Sequence, residues 1–246
     1  MHQHVRIRII GTIAAACVGA SVLSACGALP GEKFTDDATV SKKITSVRLD
    51  GDSGGVTVHG GKRGRPVALH RSVTYRGDRP AAATYRVEDG GVLVLGGCGD
   101  GCSVDYTVEL PAGLPVSGET SNGAVRLSKV GTVDVATSSG SIELTDIAGA
   151  VDARTSNGRI TGRGLSGTHT DAESSNGEID LTTATAQSIR AKTSNGSVTV
   201  TVPKGPYRVS AGTSSGSKHL GVADDPSARY RLDLSTSNGD VTARPA

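Results

Sequence analysis

The chain has 246 residues, with 26 basic and 24 acidic side chains and a formal charge of +2. It contains no Trp, one Phe and five Tyr against 34 glycines. Such a balance argues against a nucleic-acid binder or a polybasic membrane reader, and the scarcity of aromatics argues against a thick sandwich core.

Residues 1–25 read as a secretory signal. Arg6 and Arg8 precede an apolar run from Ile9 to Leu23 that holds no acidic residue and is too short to span a membrane. Leu23-Ser24-Ala25-Cys26 follows, and it resembles the lipobox of bacterial lipoproteins. The resemblance implies cleavage before Cys26 and acylation of that residue, which places the chain outside the cytoplasm on a lipid anchor. The competing reading is an ordinary signal in which Cys26 is incidental; the tetrapeptide, its position and the polar segment after it favour the lipobox. Removing Arg6 and Arg8 takes the 26 basic residues to 24, equal to the 24 acidic ones, so the processed chain is formally neutral.

Residues 26–41 are polar and small without periodicity after the cysteine, and are expected to be a flexible tether. Residues 42–115 carry a less regular β pattern. Val47-x-Leu49, Ser53-Gly54 and Val56-x-Val58 form one strand–corner–strand phrase, and Tyr85-x-Val87, Asp89-Gly90 and Val92-x-Val94 form another. Between Gly97 and Cys102, the glycine-rich Cys98–Cys102 segment holds the two cysteines left after processing. In an oxidising compartment they are expected to form a local disulfide, because two thiols supply only half a zinc shell.

From residue 116 onward the pattern becomes regular. A hydroxyl residue, a serine, an Asn or Ser and a glycine recur seven times, from Thr120-Ser121-Asn122-Gly123 to Thr236-Ser237-Asn238-Gly239. The third residues are spaced by 17, 18, 19, 19, 20 and 23. Repetition at this period marks a stacked architecture. With the Asn or Ser as position zero, positions −6, −4, +3 and +5 are apolar in most copies, as in Val133, Val135, Ile142 and Leu144. Each repeat therefore predicts a strand, a corner and a second strand with one apolar face. Asn and Gly at the corner tolerate positive φ, and the hydroxyls can satisfy freed backbone groups. Val130, Ile147 and Leu165 suggest an aliphatic second corner.

The fold class expected is all-β: a β-solenoid, or β-helix, of short 17–23-residue two-strand rungs over 116–246, continuous with the irregular portion over 42–115. Seven rungs stacked in chain order would make a rod roughly 30 Å long. Serial hairpins turning at Asn-Gly are the rival. The solenoid is preferred because the columns repeat in residue identity as well as polarity. The phrase Val108-Glu109-Leu110-Pro111-Ala112-Gly113 recurs as Val200-Thr201-Val202-Pro203-Lys204-Gly205, which supports one continuous domain.

Serial Thr-Ser-Asn-Gly followed by a polar–Ile/Val–polar–Leu strand, with the Leu-Pro-x-Gly phrase, resembles the bacterial putative adhesins, a β-helical repeat family of unknown function. The resemblance covers most of residues 45–245. It implies a β-helical fold and a surface location, and it brings no catalytic residues.

Chemistry beyond scaffold is sparse. Gly212-Thr213-Ser214-Ser215-Gly216 matches a nucleophile-elbow pattern, but the same serine recurs in every repeat and the strand-to-helix context is missing. His59, His70, His169 and His219 are scattered, and Arg76-Gly77-Asp78 reads as a charged turn. Column −5 is the candidate site: Asp134, Asp152 and Asp171 would form a carboxylate ladder if rungs stack in register. Like charges on adjacent strands need an offset. Arg154, Arg190 and Lys192 are expected to supply it, with a hard cation such as Ca²⁺ as the alternative. The functional expectation is a non-catalytic, lipid-anchored surface protein without cofactor, with a structural or adhesin-like role. The alternatives are a signalling accessory that binds a protein partner, and a β-helical polysaccharide-active enzyme using the Asp ladder.

Overall fold

A computed structural model describes residues 31–62 and 64–246. The expected signal and Cys26 lie outside the described residues. The strands in chain order are β1 Glu32–Val40, β2 Ser46–Ser53, β3 Val56–Gly61, β4 Val67–Tyr75, β5 Tyr85–Glu88, β6 Val92–Gly96 and β7 Cys102–Pro111. The regular part follows as β8 Val116–Asn122, β9 Val125–Ser128, β10 Val133–Ser139, β11 Ile142–Thr145, β12 Val151–Asn157 and β13 Ile160–Leu165. It continues as β14 His169–Asn176, β15 Ile179–Thr183, β16 Ser188–Asn195 and β17 Val198–Val202. The last four are β18 Tyr207–Ser215, β19 Lys218–Leu220, β20 Tyr230–Asn238 and β21 Val241–Pro245.

These strands make two parallel-rich sheets facing one another in a solenoid-like stack. One has 11 strands in the order β1-β4-β7-β3-β9-β11-β13-β15-β17-β21-β19, here called sheet A. The other, sheet B, has 10 in the order β18-β20-β16-β14-β12-β10-β8-β2-β6-β5. Successive corners align, with Ser139 opposite Asn157, Asn157 opposite Asn176 and Asn176 opposite Asn195. Serial hairpins are thereby excluded over the repeats, since from β8 to β21 strands adjacent in the chain lie in different sheets.

The core is the narrow space between sheets. Sheet B contributes Ala153, Ala172 and Ala191, and sheet A answers with Ile160, Ile179 and Leu181, all buried. Small residues on one wall and branched ones on the other fill a thin interior in these central rungs, and the buried tyrosines, Tyr75, Tyr106 and Tyr207, lie towards the two ends of the stack. Full burial of one such Ile or Leu is worth about 1.5–3 kcal/mol. Gly162 interrupts the leucine column, and Leu165 fills the gap: a Cβ at Gly162 would stand 2.8 Å from the Leu165 side chain. Val130, Ile147 and Leu165 are buried at the second corner.

Rung order departs from chain order at both ends. The rung β20–β21 lies between β16–β17 and β18–β19, and β2–β3 lies between β8–β9 and β6–β7. The chain therefore jumps over one rung after β7 and again after β17. Both jumps follow the repeated Pro-x-Gly phrase, at Pro111-Ala112-Gly113 and Pro203-Lys204-Gly205. The first jump passes over the end of β3, where a Cβ at Gly60 would stand 2.9 Å from the Ala112 Cα. The corner spacing of 20, from Asn195 to Ser215, consequently does not measure neighbouring rungs. The expected chain order of the seven rungs over 116–246 is corrected, with two further rungs, β2–β3 and β6–β7, before them. Nine rungs stack, spanning about 40 Å at the ~4.8 Å strand spacing.

Side chains explain the inversion. Rung β18–β19 puts Lys218 into the apolar +3 column and leaves Leu220 47% exposed, whereas β20–β21 supplies Leu232, Leu234, Val241 and Ala243, all buried. A lysine cannot be stacked inside without burying its charge. Outermost, it discourages pairing of the open edge with another chain. Tyr207 is fully buried there against Tyr230, with ring centroids 6.3 Å apart. Asp224 accepts the Val209 N–H at 2.8 Å and the Asp225 N–H donates to the Tyr207 carbonyl at 2.8 Å, covering the start of the β18 edge.

Two more expectations are corrected at the N-terminal end. Residues 32–40, expected within the tether over 26–41, form β1, which pairs antiparallel with β4 from Glu32–Tyr75 to Val40–Val67. Asp89-Gly90 is the turn of an antiparallel hairpin between β5 and β6 rather than a rung corner. The corner of that rung is instead the Cys98–Cys102 segment between β6 and β7, closed by a disulfide with Cα atoms 5.6 Å apart. Antiparallel β1, β4 and β5 thus cap this end.

Candidate functional site

Most of the repeat motif is consumed by stacking. The hydroxyl at −2 donates to the corner-glycine carbonyl of the neighbouring rung: Thr155 to Gly140 at 3.0 Å, Ser174 to Gly158 at 3.0 Å and Thr193 to Gly177 at 2.9 Å. Thr236 bonds Gly196 and Thr213 bonds Gly239, both at 2.8 Å, following the inverted order. The glycine is required by close approach. A Cβ at Gly158 would stand 1.9 Å from the Gly140 carbonyl oxygen, and one at Gly177 would stand 1.9 Å from that of Gly158.

Asparagine has a different role from the one expected. Among the described residues only Lys129 and Asp146 are non-glycine residues with positive φ, so no corner Asn uses that conformation. The amides instead form a ladder. Asn176 Nδ2 donates to Asn157 Oδ1 at 3.0 Å, Asn195 Nδ2 to Asn176 Oδ1 at 2.9 Å, and Asn238 Nδ2 to Asn195 Oδ1 at 2.9 Å. Stacked amide ladders of this kind add to the stability of in-register parallel sheets.

What remains outward on sheet B is a polar face of three columns. Column −5 runs in space through Asp233, Arg190, Asp171, Asp152, Asp134 and Ser117. The three carboxylates of the candidate ladder are therefore in register. Arg154 Nη2 lies 2.7 Å from Asp152, and Arg190 lies 4.0 Å from Asp171 and 3.0 Å from Glu173. Lys192, expected to share this task, makes no ion pair among the described residues, and Asp134 makes none either. Asp152 Oδ1 and Asp171 Oδ1 are buried without hydrogen-bond partners. Burial pushes the Asp171 carboxyl above the ordinary aspartate range, while Arg190 pulls it down. The sequence places Asp233 in this column after Ser210; the structure sets it directly beside Arg190, because β20 lies inside β18.

Beside the ladder, columns −3 and −1 line a shallow open groove of about 440 Å³ that includes Glu119, Arg154, Glu173, Lys192 and Ser156. Charges of both signs alternate along it. Among the described residues, no three His, Cys, Asp or Glu side chains converge as a metal shell. His59 on β3 bonds Ser128 and His70 on β4 bonds Asp37, each at 2.7 Å, with β7 between them. Ser214, of the elbow-like pattern, is exposed at the end of β18. Arg76, Gly77 and Asp78 form an exposed loop after β4.

A family model described as Toastrack DUF4097 matches residues 104–244. No curated protein matches the chain. Solved structures similar to it include a putative adhesin from Bacteroides fragilis, at 13% identity and TM-score 0.49, covering 87% of this chain and 97% of that one. A putative adhesin from Parabacteroides distasonis gives 13% identity and TM-score 0.48, with 86% and 97% covered. A putative cell adhesion protein from Clostridium sporogenes gives 13% and 0.40, with 87% and 100% covered. At identities and TM-scores this low, shared activity does not follow.

Proposed function

This chain belongs to the Toastrack DUF4097 family, and on that footing we propose that it is a lipid-anchored, extracytoplasmic scaffold that binds an envelope partner without catalysis. The anchor is Cys26, on the strength of the Leu-Ser-Ala-Cys tetrapeptide behind an apolar run. The binding surface is the outward face of sheet B. One observation carries this: the −2 hydroxyls, the corner glycines and the Asn amides are committed to neighbouring rungs, so the variable chemistry of this sheet lies in columns −5 and −3. Alternating Arg154, Glu173 and Lys192 in a shallow groove suits a mixed-charge protein surface or an acidic glycan bound along the strand stack.

Fractionation of cells carrying the wild type or Cys26→Ser tests the anchor, with loss of membrane association expected in the variant. Photocrosslinking in intact cells tests the face. A crosslinker at Ser156 on sheet B should capture a partner that one at Thr161 on sheet A does not. Equal capture from both faces would sink the assignment. Turnover of an acidic polysaccharide that is lost in Asp152→Ala would replace it with the enzyme reading.

A further inference from the structure

The point at which the chain enters the stack is fixed by β1. Glu32 stands opposite Tyr75 at the end of β4, and a Cβ at Gly31 would lie 3.1 Å from the Tyr75 carbonyl oxygen. Tyr75 is also in register with Cys102, and the Arg76 N–H donates to the Gly101 carbonyl at 3.1 Å. Entry strand, loop 76–84 and disulfide loop therefore share one corner of the capped end. Because residues 32–40 are a strand and not a tether, only five residue steps along the chain separate Cys26 from Gly31. Fully extended, that distance is at most about 18 Å.

We infer that this corner is the membrane-facing end of the protein, with residues 76–83 against zwitterionic phospholipid headgroups and the β18–β19 end standing outward. The inference rests on Cys26 being the anchor. A lipid at Cys26 cannot leave loop 76–83 far from the bilayer, whereas Lys218 and His219 lie at the opposite end of a stack about 40 Å long. The loop suits the headgroup boundary. Arg76, Asp78 and Arg79 are exposed and followed by the small, uncharged Ala81, Ala82 and Ala83. The Arg79 guanidinium lies 4.0 Å over the ring of Phe34, the only phenylalanine of the chain. A guanidinium laid on an aromatic ring beside small apolar side chains is an amphipathic surface with its polar groups at the rim.

Charge does not select the lipid. Around this corner Lys33, Arg76 and Arg79 are matched by Glu32, Asp78 and Asp100. The contact is therefore set by the short tether and not by attraction to anionic headgroups. Arg76-Gly77-Asp78 accordingly points at the bilayer and is withheld from receptors on other surfaces.

Acylated full-length protein in phosphatidylcholine vesicles, labelled at Ala82→Cys or His219→Cys, tests this with a headgroup-attached quencher. Quenching at 82 should exceed that at 219 several-fold and stay unchanged when phosphatidylglycerol is mixed in. Acylated protein with equal quenching at the two positions, or more at 219, overturns the orientation while leaving the anchor intact. Strong dependence on phosphatidylglycerol overturns the tether-set contact. Mass spectrometry showing an unmodified Cys26 overturns the anchor, and this inference with it.

Discussion

Replacing Thr155 and Thr236 by Val tests whether the hydroxyl column holds the rungs together. Both side chains are buried, and each donates to one corner carbonyl, Gly140 at 3.0 Å and Gly196 at 2.8 Å. Valine keeps the shape and removes the donor. A neutral hydrogen bond contributes about 0.5–1.5 kcal/mol, and a carbonyl left unsatisfied costs about 1–3 kcal/mol, so each substitution should cost about 1–2 kcal/mol. The two rungs are three steps apart, roughly 14 Å at the strand spacing. Sites that distant add to within about 0.5 kcal/mol, so the double variant should lose about 2–4 kcal/mol. Urea unfolding followed by circular dichroism measures this as a lower midpoint at unchanged slope. Ser194→Ala, in the exposed −1 column of the same motif, should stay within about 0.5 kcal/mol of wild type. Thr213→Val, on the outermost rung, should cost less than Thr236→Val; stacking in chain order would demand the reverse. Valine variants as stable as wild type would refute the staple.

Gly158→Ala should unfold or severely destabilise the protein, because its Cβ would meet the Gly140 backbone at 1.9 Å, while Gly212→Ala, with nothing within 4 Å, should be tolerated in the same melting assay. Lys218→Ile should make the open end adhesive and give concentration-dependent oligomers by size-exclusion chromatography, with the wild type eluting unchanged. Asp171→Asn should stabilise the protein at neutral pH. Burial raises the folded-state pKa of this group, so the folded chain holds the proton more tightly and the ionised carboxylate weakens the fold as pH rises through that pKa. The advantage of Asn should therefore shrink as pH falls through the same range, and a pH-independent difference would show that burial of Asp171 is not the cause.

The columns were legible in sequence because each depends on the same local alternation. Val133, Val135, Ile142 and Leu144 face the core for the reason their counterparts do in the next rung. Registration of Asp134, Asp152 and Asp171 followed from the same alignment. Rung order was not legible from the columns, since one rung offers similar backbone edges above and below. Its signals were exceptions: Lys218 in an apolar column and the Pro-x-Gly phrase at 111–113 and 203–205. Strand β1 escaped because it is a polar edge strand with Val40 as its one buried residue. The corner at Cys98–Cys102 escaped because a disulfide replaces Thr-Ser-Asn-Gly with unrelated composition. The corner Asn reads as a φ preference in any single repeat, because an amide ladder needs in-register neighbours that one repeat does not display.

An inverted order raises the question of how the last segment enters an interior slot. Threading 230–245 between two finished rungs would require breaking both sheets. A simpler route follows from the pairing. Strands β18 and β20 pair from Tyr207–Tyr230 to Ser215–Asn238, and β19 pairs with β21, so the two rungs can form as one local unit joined by residues 221–229. That unit has one good face, Leu232, Leu234, Val241 and Ala243, and one poor face containing Lys218 and Leu220. Burial selects the good face for docking on β16–β17, and the later rung ends up inside without insertion. At the other end β2–β3 and β6–β7 likewise pair with one another as a local unit, there with the outer rung capped by β4 and β5. Native-state hydrogen exchange should then show the amides of β18 through β21 opening as one cooperative unit, below the stability of the central rungs. Exchange of β20–β21 together with β16–β17, while β18–β19 opens independently, would show instead that the inner rung belongs to the central stack and that the terminal rung is added last.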